Sequence, residues 1–202
     1  DRKVILVADG LGRPLAGDVA SGVALTRGLL ALREGQELNQ ALIESLSGEI
    51  AELGTIKAFK EMGTALTALE IRGTSARLLS VGDVLAFHFR GDKLTLLNFP
   101  DWTTDDGAPI EALISLSHSP PPFPQSDAQT IINYQSFYLR YTLGYPIPRP
   151  VPVTEFTFQK GDRLLVATDG FYGAFLSLEW MRIIVVNKKK SLDDIAETLK
   201  YE

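Results

Sequence analysis

The chain has 202 residues, 45% hydrophobic and 22% charged, with a formal net charge of −5, which suits one substantial core and a single domain with room for an elaboration. That negative balance, with no basic cluster larger than Lys188-Lys189-Lys190, excludes a nonspecific nucleic-acid binder, and the lack of cysteine excludes a disulfide framework and any thiolate metal site. No apolar run approaches membrane-spanning length and the N-terminus has no signal-peptide pattern, so the expectation is a cytoplasmic protein, or a soluble domain of a larger one, with neither membrane nor nucleic acid as partner.

In chain order, the apolar run 4–8 predicts a short strand buried on both faces. Val19, Ala20, Val23, Ala24, Leu30 and Ala31 recur at helical spacing and predict a helix over 17–32. A second amphipathic helix is expected over 37–53, with Gly54 as its stop. The pattern then changes to short runs at 64–71, 76–81, 84–90 and 93–97, separated by turns at Gly73, Gly82-Asp83 and Gly91-Asp92, which is the signature of an antiparallel meander. Ten of the eleven prolines lie between Pro100 and Pro152. Proline removes backbone donors and fixes φ, so residues 99–153 are expected to form a surface excursion rather than central strands, interrupted by a helical piece over 130–143. Strand character returns at 155–158 and 163–168 around a turn at Gly161-Asp162 whose aspartate holds the hairpin, and Ser177 can cap a helix reaching Ile184. Ser191-Leu192-Asp193-Asp194 has the form of a capping box opening a last helix.

The chemistry-bearing signal is a set of aspartates, each at a strand exit beside glycine: Asp9-Gly10, Gly82-Asp83 and Asp169-Gly170. A carboxylate next to backbone that is free for close approach is what a hard divalent cation requires. Read in order, Val-Ala-Asp-Gly-Leu-Gly-Arg at 7–13, Ala-Gly-Asp-Val-Ala-Ser at 16–21, Gly-Thr-Ala-Leu at 63–66, Ser-Val-Gly-Asp-Val-Leu-Ala-Phe at 80–87 and Gly-Asp-Arg-Leu-Leu-Val-Ala-Thr-Asp-Gly at 161–170 resemble the metal-dependent protein phosphatases of type 2C, in their bacterial branch. The resemblance runs from about Val4 to about Leu199. It implies an α+β fold, a four-layer α-β-β-α sandwich of two antiparallel sheets flanked by helices, with a metal cleft at one end of the sheets. It also implies hydrolysis of phosphoserine and phosphothreonine in proteins with two Mn²⁺ or Mg²⁺ ions, a phosphorylated protein as substrate, and a cognate Ser/Thr kinase as functional counterpart.

Carried over residue by residue, Asp9 corresponds to the family's bridging carboxylate, Gly10 offers its carbonyl to the second ion, Asp169 binds the first, and Asp83 stands where the family holds a weaker third ion. A turn aspartate capping its loop is the competing reading for Asp83. Arg13, in place of a family glycine, either reaches substrate phosphate or points into solvent. The family's substrate arginine and acidic ligand on a strand preceding Asp9, and its final Asp-Asn motif, fall beyond Asp1 and Glu202. Two functions are therefore expected to compete: an active phosphatase whose outer strands lie outside this sequence, or a catalytically inactive pseudophosphatase used for binding or regulation. His88, Trp102 and Tyr172 read as sheet-surface, core or rim residues.

Overall fold

The computed structural model describes residues 2–12, 14–103, 121–133, 138–173, 177–187 and 191–199. The chain opens with β1 (Arg2–Leu11), followed by α1 (Pro14–Arg33) and α2 (Gln40–Leu53), and a single 3₁₀ turn (Lys57–Phe59) leads to β2 (Gly63–Arg72). The meander continues through β3 (Ser75–Val81), β4 (Leu85–Arg90) and β5 (Lys93–Leu96), then β6 (Trp102–Thr103), β7 (Phe123–Pro124), α3 (Gln125–Asn133) and β8 (Tyr138–Leu139). The chain then forms β9 (Val153–Thr157), β10 (Arg163–Ala167), α4 (Asp169–Tyr172), α5 (Leu178–Val185) and α6 (Leu192–Leu199).

Two antiparallel four-stranded sheets result, in the orders β1-β2-β3-β9 and β10-β4-β5-β7, with β6 and β8 paired beside them. Strand alternation sorts their side chains into three apolar layers. From β2, Leu66 and Ala68 face α1 and α2, where they join Ala20, Ala24, Leu42, Leu46 and Ile50. The next residue, Leu69, points the other way and meets Leu78, Ala86, Leu164 and Val166 between the sheets. On the far side Leu85, Phe87 and Phe89 of β4 pack with Ile131, Met181, Val185 and Ile195 from α3, α5 and α6. The layers are thus helix, sheet, sheet, helix, the α+β sandwich that the sequence resemblance implies.

Several boundaries move, each for a local reason. Pro14 opens α1 three residues before the expected start, because proline's fixed φ suits the first helical position. Asn39 caps α2 through Leu42 N–H at 3.2 Å, so that helix begins at Gln40 rather than 37. The strand expected to be buried on both faces is instead a ten-residue strand at the end of its sheet, with Ile5 41% exposed. Its apolar run reflects packing under α1 on one face rather than burial on two. The helix expected over 130–143 runs over Gln125–Asn133 and gives way to β8. The proline-rich stretch is not purely superficial either. Phe123, Ala128, Ile131 and Ile132 enter the core of the second sheet, and Pro124 sits on an end strand, where its missing donor does no harm.

His88 departs most from expectation. It is buried between the sheets rather than at a sheet surface, with Nε2 2.8 Å from Asp162 Oδ2 and its ring against Phe156 and Phe158. Asp162 also accepts from Arg90 and from Gln159 N–H, the latter at 2.9 Å, so its hairpin-holding role extends into the inter-sheet layer. His118 lies outside the described residues.

Candidate active site at the strand exits

Asp9 and Gly10 lie near the end of β1, in register with Ala65 and Thr64 of β2. The Thr64 hydroxyl donates to the Asp9 carbonyl at 2.8 Å, and Thr64 is itself bridged to Leu143 by a reciprocal pair of backbone bonds at 3.1 and 2.9 Å. A Cβ on Gly10 would sit 2.1 Å from the Gly17 carbonyl oxygen, so α1 can approach the strand exit only because both positions are glycine.

Asp83 follows Gly82, whose φ of +94° turns the chain from β3 toward β4. This turn is held from outside. Gly82 N–H donates to Asp101 Oδ2 at 2.9 Å, Asp101 N–H returns a bond to the Gly82 carbonyl at 3.0 Å, and the Tyr172 hydroxyl donates to the Asp83 carbonyl at 2.9 Å. The Trp102 side chain donates to the Asp83 carboxylate. Asp169 opens α4 directly after β10 and accepts from Gly170 N–H at 2.6 Å.

Fold topology brings these three acids to one place. Asp9 and Asp169 approach within hydrogen-bond reach, and burial, the Asp169 charge and that shared bond raise the Asp9 carboxyl above its ordinary range. Asp83 is pushed up to about 6, by burial first and then by the Asp169 charge, with the Trp102 bond opposing and Asp9 adding further. Burial and the same three carboxylates push the Tyr172 hydroxyl upward as well. No cationic side chain enters any of these shifts. Carboxylates that repel one another and lack an internal counter-charge are the chemistry that a hard divalent cation takes. Among the described residues no group of three acidic or histidine side chains is placed to hold an ion, so a bound ion would draw mainly on carbonyl oxygen and water beside two of these acids. Arg13 lies outside the described residues.

Thr64, Asp101, Trp102 and Tyr172 were not readable as site residues from sequence. Trp102 is 4% exposed and Tyr172 fully buried, as core aromatics should be, yet each aims its polar tip at the Asp83 turn. The only local hint was the Asp101-Trp102 pair standing at the entrance to the proline-rich stretch.

No family model matches the chain. It is 27% identical over 206 residues to the protein phosphatase PhpP of Streptococcus pneumoniae, covering 98% of this chain and 78% of that protein. The serine/threonine phosphatase of S. agalactiae superposes with a TM-score of 0.75 at 21% identity, covering 98% of this chain and 79% of that one. The chain is thus similar in sequence and in fold to bacterial serine/threonine protein phosphatases. A further relative, the serine/threonine phosphatase PstP of Mycobacterium tuberculosis, is 25% identical over 176 residues, which is 83% of this chain but 31% of PstP. The chain thus spans about a third of PstP's length. The catalytic domain of PstP in complex with two manganese ions superposes with a TM-score of 0.69 at 22% identity, covering 98% of this chain and 79% of that one.

Proposed function

We propose that this chain is a phosphatase of the type 2C kind that hydrolyses phosphoserine and phosphothreonine in proteins. The observation that carries the reading is the meeting of Asp9, Asp83 and Asp169, from three separate strand exits, with no cation of their own. Asp9, the Gly10 carbonyl and Asp169 are the candidate holders of two Mn²⁺ or Mg²⁺ ions, and Asp83 the candidate for a weaker third. When bound, such ions supply an activated water and neutralise charge on the phosphoryl oxygens. The chain's own residues do the positioning. Thr64 fixes the Asp9 backbone, the Gly10–Gly17 approach leaves the Gly10 carbonyl unobstructed by a side chain, and Tyr172 ties the Asp83 turn to the helix that begins at Asp169.

Phosphoproteins are the proposed substrates, a Ser/Thr kinase the proposed counterpart and the cytoplasm the proposed compartment. Among the described residues no helix is long and apolar enough to cross a membrane. One observation favours the inactive, pseudophosphatase reading: the described acids do not complete a three-residue cage. Mn²⁺-dependent release of phosphate from a phosphothreonine peptide, abolished by chelation and by Asp9→Asn, supports the enzyme. A protein that neither binds Mn²⁺ in calorimetry nor turns over that peptide at millimolar Mn²⁺ is a pseudophosphatase.

A further inference from the structure

The return segment from β8 to β9 carries an aromatic and cationic face with no role in the chemistry above. Tyr138 is 64% exposed and Arg140 is exposed, while Leu139 between them packs toward the core of the second sheet, so strand alternation puts Tyr138 and Arg140 on one side. The ring of Tyr141 is flanked by two guanidinium groups, with the Arg140 carbon 4.7 Å and the Arg149 carbon 5.2 Å from its centroid. Arg149 is paired with Asp101 and donates to the Pro150 carbonyl at 3.2 Å. Arg140 has no carboxylate partner among the described residues.

This face borders the three aspartates. Arg140 N–H bonds the Asp101 carbonyl, and Asp101 holds Gly82 N–H. The Tyr141 carbonyl oxygen lies 3.6 Å from where a Gly82 Cβ would be, one residue from Asp83. Two positions further on, Leu143 bridges Thr64, whose hydroxyl holds the Asp9 carbonyl. A peptide with its phosphorylated residue at these aspartates therefore passes a guanidinium stacked on an aromatic ring and held near one orientation, which lowers the ordering cost of binding an anion. Planar guanidinium groups match carboxylates in two-pronged geometry. Arginine and tyrosine are also the side chains that most often anchor interfaces. Two guanidinium groups, one already matched by Asp101, are too few for a nucleic-acid backbone, whose binding rests on many phosphate contacts.

We propose that Tyr138, Arg140 and Arg149 form a docking rim for acidic side chains flanking the phosphorylated residue of a peptide substrate, an inference that rests on the phosphatase reading. The test compares the full chain on phosphoserine peptides flanked, on either side, by Asp, Ala or Lys. The kcat/KM ratio of Asp-flanked to Ala-flanked peptide is expected to be about 10, carried by KM, and to approach 1 as NaCl rises from 0.05 to 0.5 M. Arg140→Glu should bring the ratio below 1, and Arg140→Lys should retain part of it. A ratio near 1 in the parent, or an unaltered ratio in Arg140→Glu, overturns the proposal. A second arm uses no turnover: fluorescence anisotropy of the dephosphorylated Asp- and Lys-flanked peptides in EDTA. Preference for the Asp peptide, lost in Arg140→Glu, sustains the rim even if no peptide is hydrolysed, in which case only the phosphatase reading falls. Equal binding of both peptides overturns the rim.

Discussion

Two groups of carboxylates among the described residues occupy opposite environments. Glu70 is 1% exposed under α1 and is surrounded by Arg2, Arg72 and Arg77. Burial alone would raise its pKa, but hydrogen bonds from Arg72 and Arg2 reverse the sign and hold it low. Asp162, between the sheets, is held well below the usual carboxylate range by Arg90, against burial, with Gln159 N–H and His88 assisting. At the strand exits the reverse holds: Asp9 and Asp83 are raised, and each has another carboxylate, not a cation, as its nearest charged neighbour. Structural acids in this fold carry their counter-charge with them. The acids at the strand exits have no such counter-charge, which sets the proposed binding site apart from a buried ion pair more sharply than burial does.

The largest expected effect comes from breaking the strand-exit side of this contrast. Asp9→Asn should lower Mn²⁺-dependent phosphatase activity by about three orders of magnitude, the loss of roughly 4 kcal/mol of transition-state stabilisation. Because it relieves repulsion with Asp169, the same variant should melt no lower than the parent in EDTA. A clear fall in melting temperature there would mean that Asp9 is structural. Breaking the compensated side should do the opposite. Asp162→Ala strands His88 and Arg90, and should cost about 3 kcal/mol in urea unfolding while leaving Mn²⁺ affinity intact.

Smaller effects follow from pH, and the two environments respond with opposite signs. Asp162 has a depressed folded-state pKa, so its stabilisation is present above pH 4 and drains away as pH falls below the unfolded value. Asp83, raised from 3.8 to about 6, favours the folded state below pH 4 and loses that contribution as pH rises through 6. In EDTA, unfolding curves should show a loss of at most about 3 kcal/mol from this acid between pH 4 and 7. Asp83→Asn should flatten that limb, Asp162→Asn the acid limb, and a variant that flattens the wrong limb would break the contrast. The smallest effect is that of a tether. Trp102→Phe keeps the buried ring but deletes the donor to Asp83, and should cost about 1 kcal/mol or less at pH 7, with a greater loss in Mn²⁺ affinity than in stability. Equal losses would reduce Trp102 to packing.

Much of the sandwich was readable because its signals are local. The meander from β2 to β5 was visible in short apolar runs punctuated by Gly73, Gly82 and Gly91, all three of which adopt positive φ. The two N-terminal helices were visible in their spacing, and Ser177 caps α5 through Glu179 N–H as its position suggested. The proline-rich stretch misled because proline reports on backbone and not on burial: Phe123 and Ile131 belong to the core although the chain around them has lost donors. His88 misled for a related reason, since its partner Asp162 stands 74 residues away and no spacing rule links them.

The sequence by itself determined which residues could serve a cation, because an apolar strand ending in Asp-Gly places an acid at an exit whatever lies around it. It also determined the alternation that separates three apolar layers, since periodicity belongs to the strand. What only the tertiary structure decided is which acids meet and which are neutralised. Asp9, Asp83 and Asp169 come together because the exits of β1, β3 and β10 meet where the two sheets stack, while Asp162 and Glu70 meet arginines from neighbouring strands. Charge compensation is a property of distance in space, and the chain brings residues from separate strands into the same few ångströms only once the layers have packed.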